Sequence, residues 1–315
     1  MKLEKVITNT QDFYNFQKEV QEGKLAKSIL LISQDEQYSY QFALSLAALL
    51  FNNGQIVENE HYIKVKSLSH PDLKIYPQKE RLMVADSDSI VEEGSIKPIF
   101  ADKKIIIIKN IDNAMEQAQN KLLKTLEEPN KNMYFIVTTT SLNQVLPTIR
   151  SRCNKIELAK LPTAVINEFC QGNALASVLC DGYAGRAFYL AQMEDLKSMF
   201  DSVLACVTQL KNSKNLLSFS KRLSAFKDNF NLIMEMLSLI MEDLLFIKVG
   251  KTNKIRFKES ASTLQMVEGE YTIAAISEIR KLIDKAVKEM TFNCNFLVVI
   301  ENLLLNILEV KYICR

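Results

Sequence analysis

KKIIIIKNIDNAMEQAQNKLLKTLEEPNKNMYFIVTTTSLNQVLPTIRSRCNKIEL, residues 103–158, alternates apolar runs with helical spacing. Ile105–Ile108 and Tyr134–Thr138 are continuous enough to read as strands buried on both faces, and the period between them predicts a helix over about Ala114–Glu127. A short helix and a third strand, Lys155–Leu158, follow. Alternating strands and helices of this kind build a parallel sheet covered by helices. Pro129 marks the end of the longer helix, because the residue before a proline is pushed out of the helical region. Leu122, Leu123 and Leu126 fall on its sheet side, and Lys121, Lys124, Glu127 and Glu128 on its solvent side. Asp112, just ahead of Ala114, is placed to cap it.

Working outward toward the amino end, Asp12–Glu22 has Phe13, Phe16 and Val20 at helical spacing, with Gly23 as its stop. Ser28–Ile32 reads as the first core strand. Asp35–Phe51 reads as a helix with Phe42, Leu46, Leu49 and Leu50 on one face. The junction between that strand and helix is SQDEQYSYQ, Ser33–Gln41. In nucleotide-binding α/β folds a glycine-rich loop cradles phosphates at this junction, with a lysine and a hydroxyl residue opening the helix. Here the junction has neither glycine nor lysine. Farther on, His70-Pro71-Asp72 forms a turn and Leu73–Tyr76 can pair in the sheet.

Beyond Leu161-Pro162 the strand pattern stops. Thr163 to about Met199 reads as short helices, with a domain edge near Phe200–Leu204. Leu216–Phe230, Asn231–Val249, Thr272–Met290 and Asn295–Val310 have apolar residues at helical intervals, and Gly250–Thr263 reads as the main connection. At 315 residues the chain has room for two or three domains. Its 48% hydrophobic and 24% charged residues describe an ordinary soluble protein, and a net charge of +2 does not argue for a nucleic-acid-binding surface. MKLEKVITNTQDF lacks the apolar core of a signal peptide, and Glu235, Glu242 and Asp243 interrupt the most apolar stretch, Leu232–Val249, so a cytoplasmic protein is expected. Six cysteines (153, 170, 180, 206, 294, 314) form no Cys-x-x-Cys pair. They read as free buried thiols, with neither a disulfide framework nor a zinc site. His61 and His70 are too few and too isolated for a metal site or a catalytic triad.

NKLLKTLEEP (120–129) and LPTIRSRC (146–153) resemble the hallmark segments of bacterial clamp-loader ATPases, the AAA+ group that opens sliding clamps for DNA polymerase III. DGYAGRAFYLAQ (181–192) resembles that family's second-sensor segment, which contains Arg186. The likeness is to the non-hydrolysing, delta-prime branch. It implies an AAA+-type α/β domain over 1–160, a small helical lid over 161–204 and an all-helical collar over 205–315. Set against the family's ATPase members, Gln34, Gln37 and Ser39 stand at glycine positions, Tyr40 at the lysine and Gln41 at the magnesium-holding hydroxyl. Lys109 and Asn110 stand where those members have Asp and Glu. Asp88 replaces a usual arginine, and Gln55–Pro71 lacks the four cysteines of a zinc module. The resemblance thus implies a chain without intrinsic ATPase activity, cofactor or metal.

Ser151-Arg152-Cys153 is the sharpest functional signal. In the resembled family this arginine reaches the γ-phosphate held by a neighbouring subunit, a task suited to its permanent charge and planar fork. A lone arginine at a helix end is ordinarily a cap; the intact motif favours a finger acting in trans. Arg150 reads as a structural or interface group, Ser151 as a cap, Cys153 as a small buried group, and Arg186 as a salt-bridge or interface residue. Lys124 reads as part of a solvated face, and Thr138–Thr140 as satisfying backbone groups at a strand end. The implied partners are ATPase subunits of the gamma/tau type and the clamp-opening delta subunit, with primed DNA and the sliding clamp met through the assembly. Two other readings stand beside this one: an autonomous ATPase with an atypical phosphate loop, and a nucleic-acid-binding adaptor with no part in ATP chemistry.

Overall fold

In the computed structural model, which describes residues 3–79, 81–170, 172–292 and 294–313, five short strands form one parallel sheet. They are β1 (Ser28–Ile32), β2 (Leu73–Tyr76), β3 (Lys104–Ile108), β4 (Met133–Thr139) and β5 (Asn154–Glu157), in the order β2-β3-β4-β1-β5. Each boundary lies within about a residue of the expected one. This is the helix-covered parallel sheet anticipated above, and among the described residues no strand follows it.

The helices, in chain order, begin with α1 (Leu3–Ile7), α2 (Gln11–Gln21), α3 (Glu36–Phe51), α4 (Glu60–Lys66) and α5 (Val84–Glu93). They continue with α6 (Glu116–Glu127), α7 (Pro147–Arg150), α8 (Thr163–Phe169), α9 (Ala174–Leu179) and α10 (Ala184–Ala191). The last are α11 (Leu196–Gln209), α12 (Ser213–Ser224), α13 (Phe230–Lys248), α14 (Ala261–Val267), α15 (Ile273–Thr291) and α16 (Phe296–Ile313). The chain forms two compact units. One runs as far as Gly172 and includes Cys180–Ala191; the other comprises Asn173–Leu179 and the chain from Gln192 onward.

In the first unit the central strands β1, β3 and β4 are buried on both faces. Leu30, Ile106, Ile108, Phe135 and Val137 pack with Ala118, Leu122 and Leu126 of α6, Ile90 of α5 and Ile149 of α7. Phe42 of α3 meets Phe13 and Phe16 of α2 edge to face, each with ring centroids 5.8 Å apart. Fully burying one such side chain contributes about 1.5–3 kcal/mol, so these runs define the strands more firmly than local propensity does. Register places Ile32 beside Thr139 and Ile108 beside Val137. The carboxyl ends of β1, β3 and β4 therefore lie side by side, the edge at which open α/β sheets bind ligands.

In the first unit the expectation for α6 fails. The helix expected from Ala114 starts at Glu116, behind a 3₁₀ turn over Ile111–Asn113, and Asp112 does not cap it. Asn110 takes a left-handed conformation, φ +47°, which turns the chain early. Asp112 is thereby drawn toward the end of β4, where its Oδ2 accepts from the Thr140 hydroxyl at 2.7 Å.

Among its described residues the second unit has helices and no strand. The expected helix over Leu216–Phe230 stops at Ser224, and a 3₁₀ turn at Lys227–Asn229 leads into α13. Phe200–Leu204 lies inside α11. The segment expected as a connection holds two 3₁₀ turns and the start of α14. It is tied down by the fully buried Asp243 carboxylate, which accepts from the Arg256 and Phe257 amides at 2.9 Å each. Among the described residues, no helix is long and apolar enough to cross a membrane.

Candidate functional site

The carboxyl edge of the sheet brings three segments together: Ser33–Gln41, Lys109–Asp112 and Thr138–Thr140. At the first, the Ser33 hydroxyl accepts from the Asp35 amide at 3.1 Å. Asp35, in an extended conformation, caps α3 by accepting from the Tyr38 amide through Oδ1 at 3.0 Å. Its other oxygen, Oδ2, accepts from the Gly185 amide at the start of α10, at 2.6 Å. Beside it the Tyr183 hydroxyl donates to Gln34 Oε1 at 2.7 Å. The segment likened to a second sensor therefore lies directly on the strand–helix junction. Arg186 is partly buried on the same helix.

Tyr40 and Lys109 meet each other. The Lys109 ammonium lies 5.3 Å from the centroid of the Tyr40 ring, within the range of a cation–π contact. Partial burial raises the Tyr40 phenol above its ordinary value, so it faces Lys109 as a neutral ring. The threonines behave as expected of a strand end. Thr138 Oγ1 accepts from the Asn110 amide at 3.0 Å, Thr139 Oγ1 accepts from the Ser141 amide at 3.2 Å, and Thr140 bonds Asp112.

Arg152 lies away from this edge, between α7 and β5. Its Nε donates to Glu127 Oε2 at the end of α6, at 2.7 Å, and its Nη1 donates to the Thr148 carbonyl at 3.0 Å. The Arg152 side chain is 28% exposed. Ser151 Oγ donates to the same carbonyl, as suits a cap. Cys153 is buried in the sheet core, and that burial pushes its thiol up to about 12. Arg150 Nε is buried with no hydrogen-bond partner among the described residues. Lys124, Glu127 and Glu128 are exposed as expected, and Lys121 pairs with Asp88 of α5.

Sequence reasoning missed Gln119. This buried residue of α6 donates to the carbonyls of Ala114 and Gln144 at 3.2 Å each and accepts from the Leu146 amide at 2.9 Å. It ties α6 to the loop that leads into α7 and Arg152. Its signal was a polar residue at a sheet-facing position, three before Leu122.

The histidines, read as isolated, are paired. His61 Nδ1 and His70 Nε2 are 3.0 Å apart, and His70 stacks on Phe51 with centroids 3.9 Å apart. Among the described residues no group of three or more His, Cys, Asp or Glu could hold a metal. Four cysteines, 153, 170, 180 and 206, are buried thiols outside any disulfide, but Cys294 is exposed because it follows the end of α15. Cys314 lies outside the described residues.

Residues 8–162 match a family model described as DNA polymerase III, delta subunit. The DNA polymerase III delta-prime subunit of Bacillus subtilis is 33% identical over 106 residues, covering 33% of this chain and 32% of that protein. The delta-prime subunit of Buchnera aphidicola subsp. Baizongia pistaciae is 44% identical over 97 residues, covering 28% and 29%. The chain thus spans about a third of the length of these curated relatives. The solved structure of a DNA polymerase III gamma subunit-related protein from Thermotoga maritima has a similar fold. It gives a TM-score of 0.53 over 95% of this chain and 99% of that one, at 17% identity.

Proposed function

Because residues 8–162 belong to the clamp-loader subunit family of DNA polymerase III, in its delta-prime-like form, we propose that this chain is a non-hydrolysing subunit that lends Arg152 to a neighbour's ATP. The observation that carries the reading is the state of that side chain. Its guanidinium is anchored at Nε and Nη1, while Nη2 makes no hydrogen bond within the described residues. A planar, permanently charged group held in this way suits a phosphate brought up by another subunit. Two further features support the absence of ATP turnover by the chain itself: Ser33–Gln41 lacks glycine and lysine, and Lys109 would repel a metal ion.

On this reading the partners are gamma/tau-type ATPase subunits and the delta subunit, and the assembly places a sliding clamp on primed DNA in the cytoplasm. The α/β domain (1–160), lid (161–204) and collar (205–315) are proposed as the functional division of the chain.

Reconstitution with the ATPase and delta subunits tests the proposal. Arg152→Ala should assemble as wild type does, while turnover at the interface it completes falls by about 10³- to 10⁵-fold. Arg152→Lys, which keeps charge without the fork, should not restore it. Undiminished hydrolysis by the Arg152→Ala assembly would overturn the assignment.

A further inference from the structure

The first turn of a helix presents amide groups with no intrahelical partner and a partial positive charge, so it attracts an anion. At the strand–helix junction two such turns face one carboxylate. Asp35 Oδ1 accepts from Tyr38 in the first turn of α3, at 3.0 Å, and Oδ2 accepts from Gly185 in the first turn of α10, at 2.6 Å. The side chain is 7% exposed, so both bonds are shielded from water. Such charge-assisted bonds are stronger than neutral ones. Gly185 makes the approach feasible, since a Cβ there would lie 2.4 Å from Asp35 Oδ1 and 2.8 Å from Gln37 Cβ. Tyr183 and Gln34 add a second link across the same seam.

We propose that Asp35 is the resident anion of this junction, holding α10 to α3 so that the chain itself, rather than a bound nucleotide, sets the position of α10. In nucleotide-binding α/β proteins a phosphate neutralises the helix that follows the first strand. Here an internal carboxylate does so and recruits a second helix. The helix therefore stays docked whether or not ATP is present. This inference rests on the reading that the chain binds no nucleotide of its own, and it is independent of the role of Arg152.

Hydrogen exchange of the full chain, followed over residues 183–191 with and without Mg-ATP, tests it. In wild type, ATP should change nothing. Asp35→Ala should speed exchange over α10 by about ten- to a hundredfold, the range expected for losing a hydrogen bond to a charged group. Asp35→Ser keeps a cap for α3 but is too short to reach α10. It should loosen α10 while leaving the first turn of α3 protected, which separates the latch from simple capping. Gly185→Ala should reproduce the Asp35→Ser effect from the other side, and combining the two should add little. Unchanged exchange over α10 in Asp35→Ser, with no ATP effect in wild type, would overturn the latch and leave the non-hydrolysing reading intact. Protection of α10 that appears only when ATP is added to wild type would overturn both.

Discussion

Arg152 and Glu127 form an ion pair, 2.7 Å from Nε to Oε2, that joins the end of α6 to the segment entering β5. The Glu127 side chain is 52% exposed. Exposed pairs of this kind are worth about 0.2–1 kcal/mol. Glu127 is thus too weak a partner to withhold Arg152 from a phosphate, but it can bias the orientation of the guanidinium. Glu127→Ala should leave chain stability within about 1 kcal/mol of wild type and lower ATP hydrolysis by the reconstituted complex about two- to fivefold. Glu127→Gln, which keeps an acceptor for Nε, should restore most of the loss. Hydrolysis equal to wild type in Glu127→Ala would show that the pair has no positioning role.

Tyr40 and Lys109 bear on whether charge alone could make this junction a nucleotide site. Exchanging them for Lys and Asp would supply one cation and one carboxylate. It would not supply glycines, whose freedom lets a loop wrap phosphates, and Asp35 would remain bonded to both helices. The double variant Tyr40→Lys, Lys109→Asp should therefore show no Mg-ATP turnover. Losing the cation–π contact should cost about 0.5–1 kcal/mol in a denaturant melt. Measurable turnover would mean that the junction is more adaptable than its hydrogen bonds suggest.

The sheet was legible in the sequence because runs such as Ile105–Ile108 leave no polar face, so their burial and type follow directly from composition. The Ser-Arg-Cys segment was legible as a resemblance, and the role drawn from it is a proposal. The start of α6 was not: Asp112 had a nearby helix to cap, but its partner proved to be Thr140, 28 residues away. Nor was the second bond of Asp35, whose acceptance from Gly185 spans 150 residues. The histidines looked solitary because nine residues separate them, and only the packing of α4 against the turn before β2 brings them together. Local patterns report what a residue can do, and tertiary contact decides among the options.

Gln119 offers a direct test of the junction that supports Arg152. Gln119→Leu preserves volume but leaves the Ala114 and Gln144 carbonyls and the Leu146 amide without their partner. Buried groups left unsatisfied cost about 1–3 kcal/mol, so the urea midpoint should fall accordingly. Gln119→Glu keeps the acceptor for Leu146 but turns a carboxylate toward two carbonyls. Its loss at neutral pH should exceed that of Leu and should partly recover in mild acid, as the carboxyl takes up a proton. Stability unchanged by either variant would remove Gln119 from the account.

His70 sets the last expectation, in acid. Its Nδ1 accepts from the Asp72 amide at 3.1 Å, so Nε2 holds the proton and donates to His61 Nδ1. Burial, followed by the neighbouring His61, pushes the His70 pKa down to about 4. A second proton would have to enter at Nδ1, facing an N–H. The unfolded imidazole titrates near about 6.5, so between that pH and about 4 the unfolded chain binds more protons than the folded one. Stability from this group is complete above about pH 6.5 and is lost as pH falls toward 4, by about 2–3 kcal/mol. The Asp72 carboxyl is raised by burial but lowered more by the amides of Ile99, Phe100 and Ala101, leaving it below its ordinary value. Its contribution is therefore lost only in stronger acid, and the two steps separate. His70→Phe can still stack on Phe51 but cannot titrate. It should be less stable than wild type at pH 7 and show a flatter stability profile between pH 6.5 and 4. A profile as steep as that of wild type would mean that other groups govern the acid response.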